Sequence, residues 1–183
     1  MQDGRVYTIG HGGRTIDECI DQLHNLGILF VIDVRTSPYS RYQPEFSKGH
    51  LEEHLKRAGI SYGFMGDALG GHPTDPACYT AGKVDYDKCR TKAPFQHGIG
   101  RLKHAYEQGY RICLLCSEGK PHQCHRSKLI GAALADEGIT CNHILPDGRV
   151  LPQDELIREL TGGQGDLFGD HFVSKKTYQK KGD

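Results

Sequence analysis

The chain has 183 residues, 37% hydrophobic and 25% charged, with a mean hydropathy of −0.56. That length and composition suit one globular domain and exclude a disordered chain. Lysine plus arginine equal aspartate plus glutamate at 23 each, so bulk charge selects no partner, and any nucleic-acid contact must come from a local patch.

Residues 5–9 read as a strand that ends at Gly10-His11-Gly12-Gly13. Thr15 caps a helix, and Glu18 three residues on closes a capping box. Ile16, Cys19, Ile20, Leu23 and Leu26 share one face of that helix, and Gly27 stops it. Ile28–Val34 is nearly continuous apolar, the pattern of a strand covered on both faces. A helix over 48–58 carries Leu51, Leu55 and Ala58, and a strand over 60–64 follows. Residues 65–95 show no clear periodicity, which at that length marks a functional or mobile insertion. A helix at 96–108, a strand at 110–116, a helix at 124–137 and a strand at 139–145 resume the alternation. Pro146-Asp147-Gly148 is a turn, and 153–160 a last short helix. The pattern predicts a single three-layer α/β domain over 1–160, with a mostly parallel sheet of about five strands and helices on both faces, then a flexible tail over 161–183.

The longest apolar runs, such as Ile28–Ile32, are about five residues, far short of the roughly 20 of a membrane span. Met1-Gln2-Asp3-Gly4 offers no secretory signal. Seven cysteines, an odd number, suit a reducing compartment, so a cytoplasmic location is expected.

Ligands of such sheets bind beyond the carboxyl ends of the strands. His11 follows the first strand, Asp33 and Arg35 end the second, and Cys116 to Arg126 follows the fourth and runs into a helix. A thiol beside a helix start and basic side chains has a lowered pKa, and its thiolate is a nucleophile. Cys116 and Glu118 are therefore expected to carry the chemistry, and His11 and His125 to transfer protons. Arg35, Arg41 and Arg126 are expected to hold an anion, with Ser40 and Cys124 beside them and Asp33 orienting Arg35 or His11. Cys116, His122, Cys124 and His125 also offer soft ligands to zinc or iron, although their spacing matches no common zinc pattern. Cys19 and Cys113 fall on inward positions and are expected in the core.

Tyr7-Thr8-Ile9-Gly10-His11, Ile32-Asp33-Val34-Arg35 with Pro38 and Ser40-Arg41, Leu69-Gly70-Gly71, and Cys116-x-Glu118 with Cys124-His125-Arg126 occur in one order. Together they resemble domain of unknown function family 488 over roughly residues 5–146. The resemblance implies a compact cytosolic α/β domain with an active site, and its motif residues are His11, Asp33, Arg35, Ser40, Arg41, Cys116, Glu118, Cys124, His125 and Arg126. A weaker likeness is to rhodanese-like and cysteine-phosphatase domains, which share an Asp-x-Arg strand and a cysteine loop before a helix. Their loop brings the arginine closer behind the cysteine than the ten positions from Cys116 to Arg126.

In the tail, Gln164-Gly165-Asp166-Leu167-Phe168 resembles the short motif that docks bacterial DNA-metabolism proteins on the replication sliding clamp. Leu167 and Phe168 would fill an apolar pocket, with Gln164 and Asp166 as polar contacts, and Lys175, Lys176, Lys180 and Lys181 would add phosphate contacts. The leading expectation is an enzyme acting on an anionic substrate, a nucleotide or DNA, recruited to the clamp for DNA repair. The alternatives are a Cys/His metal-binding module and a noncatalytic clamp adaptor.

Overall fold

A computed structural model describes residues 5–161 and 173–178. β1 (Val6–Gly10) leads through α1 (Ile16–Asn25) to β2 (Phe30–Asp33), α2 (Lys48–Arg57) and β3 (Ser61–Phe64). Next come α3 (Gly66–Leu69), β4 (Tyr79–Thr80), β5 (Lys83–Asp85), α4 (Tyr86–Arg90) and α5 (Ala93–Glu107). Then β6 (Ile112–Cys116), α6 (Ala132–Asp136), β7 (Cys141–Ile144), β8 (Val150–Pro152), α7 (Gln153–Thr161) and β9 (Val173–Thr177) follow.

The main sheet has the order β3-β2-β6-β1-β7-β8. Its first five strands are parallel, and β8 pairs antiparallel with β7 at the edge. This is the expected α/β architecture, with one short antiparallel strand added. Side chains of β6 alternate between two cores: Ile112, Leu114 and Cys116 join Leu102, Leu129 and Leu134 on one face. Cys113 and Leu115 join Leu23, Leu51 and Leu55 on the other. A strand covered on both faces needs apolar residues at every position, which is why Ile112–Cys116 shows no alternation. Cys19 and Cys113 are fully buried, as their inward positions predict.

Local signals explain the element ends. The Thr15 hydroxyl accepts the Glu18 N–H at 3.2 Å while the Glu18 carboxylate accepts the Thr15 N–H at 2.7 Å, the expected capping box. Residues 65–95 are not an irregular insertion throughout; they hold α3, a two-strand hairpin and α4. The α5 helix starts at Ala93, earlier than expected, because Pro94 sits in the first turn, where its missing N–H costs nothing.

The expected helix at 124–137 is broken up. A 3₁₀ turn, Pro121–Gln123, precedes a π-helical stretch, Arg126–Gly131, which continues into α6. The cause is Gln153, whose Nε2 donates to the Ser127 carbonyl at 3.2 Å and whose Oε1 accepts the Ser127 hydroxyl at 3.1 Å. A side chain inserted into the backbone ladder widens the turn.

Val173–Thr177, within the stretch expected as a tail, pairs with β5 in a small β4-β5-β9 sheet, and the Ser174 hydroxyl accepts the Val84 N–H at 3.0 Å. The clamp-like motif, Gln164 to Phe168, lies outside the described residues. Among the described residues no helix is long and apolar enough to cross a membrane.

Candidate active site at the carboxyl edge of the sheet

Cys116 is the last residue of β6 and only 6% exposed, yet it lines a cleft of about 510 Å³. Its backbone neighbour in the sheet is Gly10, where an added Cβ would meet the Glu118 carbonyl oxygen at 1.9 Å. The glycine-rich turn after β1 therefore lets the 116–120 loop lie directly on the sheet edge.

Two groups beside Cys116 set its chemistry. Cys124 Sγ lies 3.5 Å from His125 Nδ1, and Cys116 Sγ lies 3.9 Å from the same nitrogen. His125 Nε2 donates to the Val34 carbonyl at 3.0 Å, which turns Nδ1 toward the two sulfurs. The Cys116 thiol is held well below its usual range, first by a hydrogen bond from Cys124, then by the nearby His125 and by the Glu118 N–H, all against the cost of burial. Cys124 moves the opposite way: burial and the charge of Cys116 keep its proton on. The two opposite shifts favour the thiolate on Cys116 over one on Cys124.

Behind the thiolate stands a buried chain of polar groups. Asp33 accepts Arg35 Nε at 2.9 Å and Nη2 at 2.6 Å, and also takes the Tyr62 hydroxyl at 2.9 Å. Arg35 Nη1 donates to His11 Nε2 at 3.4 Å, and His11 Nδ1 donates to Gln43 Oε1 at 3.0 Å. Burial lowers the His11 pKa despite the Gln43 contact, which fits a neutral ring that accepts from Arg35. His11 also stacks on Phe46 at 4.4 Å. These contacts use three of the five guanidinium N–H groups of Arg35, which lines the cleft.

The remaining expected residues are placed differently. Glu118 is exposed at the cleft, where its carboxylate accepts the Lys120 N–H at 3.0 Å. Arg126 is fully buried and does not line the cleft; it donates to the Gly119 carbonyl at 2.9 Å, and its Nε and Nη1 have no acceptor among the described residues. Ser40 builds its own turn, accepting the Gln43 N–H at 3.2 Å, so it reaches the site only through Gln43 and His11. Arg41 is exposed and outside the cleft.

Several residues were not expected in this cleft from the sequence, and Lys175 and Lys176 were expected to contact phosphate only as part of a tail. Burial raises the pKa of Tyr86 and Tyr178, and the charge of Cys116 adds to it, next after burial at Tyr178 but as the smallest contribution at Tyr86. Tyr178 stacks on His72 at 4.1 Å, and Lys175 Nζ donates to Gln123 Oε1 at 2.8 Å beside Lys176. The signal available was composition alone: Lys175-Lys176-Thr177-Tyr178 is a basic and aromatic cluster, but nothing in its pattern places it against the sheet. Among the described residues, Cys116, Cys124 and His125 are the one group of such donors close enough to hold a metal, within 4.8 Å of one another, and His122 is not part of it.

A family model described as "Domain of unknown function DUF488" matches residues 15–133. No curated protein matches the chain. A solved structure from Neisseria meningitidis z2491, described as "a putative phosphatase", is similar at 18% identity and a TM-score of 0.46, covering 91% of this chain and 89% of its own.

Proposed function

The chain belongs to the DUF488 family, which is defined without a reaction, and from the site built in this frame we propose an enzyme whose Cys116 thiolate attacks an anionic substrate. The carrying observation is the Cys116 sulfur at a strand end, beside Cys124 and 3.9 Å from His125 Nδ1, in a cleft also lined by Arg35, Lys175 and Lys176, with its thiol pKa shifted downward. Hydrogen bonds to a buried thiolate raise the fraction of it present near neutral pH, and the thiolate rather than the thiol is the nucleophile. Arg35, fixed by Asp33 and His11, offers a phosphate or carboxylate the two N–H groups that these contacts among the described residues leave over. The two lysines add charge at the rim and steer anions inward.

In this reading Cys116 forms the covalent bond to the substrate. Glu118 at the cleft is the acid that protonates the leaving group and the base that activates water. His11 and Asp33 position Arg35. Arg126 holds the 116–120 loop through Gly119. Arg41 touches only a substrate long enough to leave the cleft, such as DNA. Phosphate-bearing substrates, nucleotides and oligonucleotides first, follow from this charge pattern.

The test is turnover across a panel of phosphorylated compounds. Cys116→Ser abolishes turnover with the circular dichroism spectrum unchanged, and Lys175→Ala with Lys176→Ala raises KM about tenfold, ~1.4 kcal/mol of binding. Full turnover by Cys116→Ser on an identified substrate contradicts the assignment. Stoichiometric zinc or iron in protein purified without added metal would instead favour the metal-binding reading of the same three donors.

A further inference from the structure

Cys124 forms no bond to substrate in the step proposed above, yet it is 3% exposed and sits beside the nucleophile. Two sulfurs share one imidazole nitrogen, at 3.9 Å and 3.5 Å, and both cysteines line the cleft. No other cysteine lines that cleft among the described residues. Both lie at the ends of the 117–123 loop, outside helices and at the last residue of a strand, where small shifts of backbone are tolerated.

We propose that Cys116 and Cys124 are a modification site in which a hydroperoxide oxidises Cys116 and Cys124 closes the product into a disulfide. This rests on the reading of Cys116 as a thiolate. The chemistry runs in two balanced steps. First, the Cys116 sulfur attacks the outer oxygen of the hydroperoxide. The O–O bond breaks, the alkoxide or hydroxide leaves and takes a proton from water, and the cysteine is oxidised by two electrons to its sulfenic acid. Second, Cys124 gives its thiol proton to His125 Nδ1 and its sulfur attacks that of Cys116. The S–O bond breaks, and the departing hydroxide takes the proton from His125 and leaves as water. The sum is two thiols and one hydroperoxide giving a disulfide, an alcohol and water. His125 suits this relay because its Nε2–H is occupied by the Val34 carbonyl, so Nδ1 is the nitrogen that faces both sulfurs.

The disulfide stores the nucleophile in a form that a dithiol restores, and it prevents further oxidation of Cys116 to the irreversible sulfinic acid. Reduced full-length protein is treated with stoichiometric hydrogen peroxide, quenched with an alkylating agent, and analysed by mass before and after cleavage following Glu118. Wild type is expected to lose two hydrogens, to keep its Cys116 and Cys124 peptides linked, and to regain both thiols with dithiothreitol. Cys124→Ser is expected to gain two oxygens on Cys116 that dithiothreitol does not remove, and Cys116→Ser to leave Cys124 unoxidised. Wild type that gains oxygens on Cys116 while Cys124 stays alkylatable overturns the dithiol inference and leaves the nucleophile intact. A Cys116 that reacts with neither peroxide nor alkylating agent at any pH overturns both.

Discussion

His143 is fully buried between the Thr8 hydroxyl, 2.8 Å from Nδ1, and Gln153 Oε1, 2.5 Å from Nε2. Burial pushes its pKa down to about 4, against the opposing Gln153 contact. The unfolded chain binds that proton more readily than the folded one. Stability is therefore complete above the ordinary histidine range and is lost as pH falls from about 6.5 towards about 4. Between pH 7 and pH 5 this one group is expected to remove about 2 kcal/mol. Urea unfolding at the two pH values checks it, and His143→Gln should flatten the difference; a wild-type stability that is equal at both pH values contradicts the account. At this scale the sequence was legible where a residue's position on a strand determined its direction. Asp33, Arg35 and Cys116 all emerge at the predicted edge. Arg126 does not, because successive residues of a helical turn point about 100° apart. His125 faces the sulfurs, so its neighbour turns into the protein. Sequence adjacency of Cys124, His125 and Arg126 carries no information on that rotation.

The elements around the site are set by close approach more than by periodicity. Gly71 follows α3, and a Cβ there would meet the His125 ring at 2.7 Å, while a Cβ on Gly70 would meet Thr36 Oγ1 at 2.4 Å. Leu69-Gly70-Gly71 is thus a motif for bringing the α3 turn onto the imidazole. Gly71→Ala is expected to cost about 1–3 kcal/mol through overpacking. It is also expected to push His125 off the sulfurs and slow turnover, while Gly49→Ala, in α2 where nothing lies within 4 Å of the added Cβ, costs no stability and leaves turnover unchanged. Equal turnover in Gly71→Ala and wild type would remove His125 from the account. The strands β4, β5 and β9 escaped the sequence reading for a related reason. β4 has two residues, β5 three, and β9 reads Val-Ser-Lys-Lys-Thr, so none shows alternation long enough to register. Their pairing is tertiary, fixed by contacts such as Ser174 to Val84, and Ala81 takes the left-handed turn before Gly82. The π-helical stretch was equally hidden, since Gln153, which causes it, lies far along the chain.

Across the whole molecule, six segments meet at one place. The ends of β2 and β6, the turn after α3, Tyr86 of α4, the residues just before the π-helical stretch and β9 with Tyr178 all line the same cleft. The strand order explains this. β6 lies between β2 and β1, so the loops after these strands leave the sheet side by side, where a parallel sheet binds its ligand. The parallel sheet and its carboxyl edge followed from the alternation of apolar runs and glycine stops. The places of Lys175, Lys176, Tyr86 and Tyr178 in the cleft did not, because they come from the segments with the weakest pattern. The central claim is that this convergence produces a thiolate on Cys116 supported by a protonated Cys124. The most direct measurement is the rate of iodoacetamide alkylation at Cys116 against pH, read by mass spectrometry in reduced wild type and in Cys124→Ala. Because the folded pKa is lowered, the thiolate persists as pH falls. The wild-type inflection is expected well below the ordinary thiol value of about 8.5, and that of Cys124→Ala is expected to move upward. An inflection at or above about 8.5 in wild type, or one that Cys124→Ala leaves in place, would contradict the account.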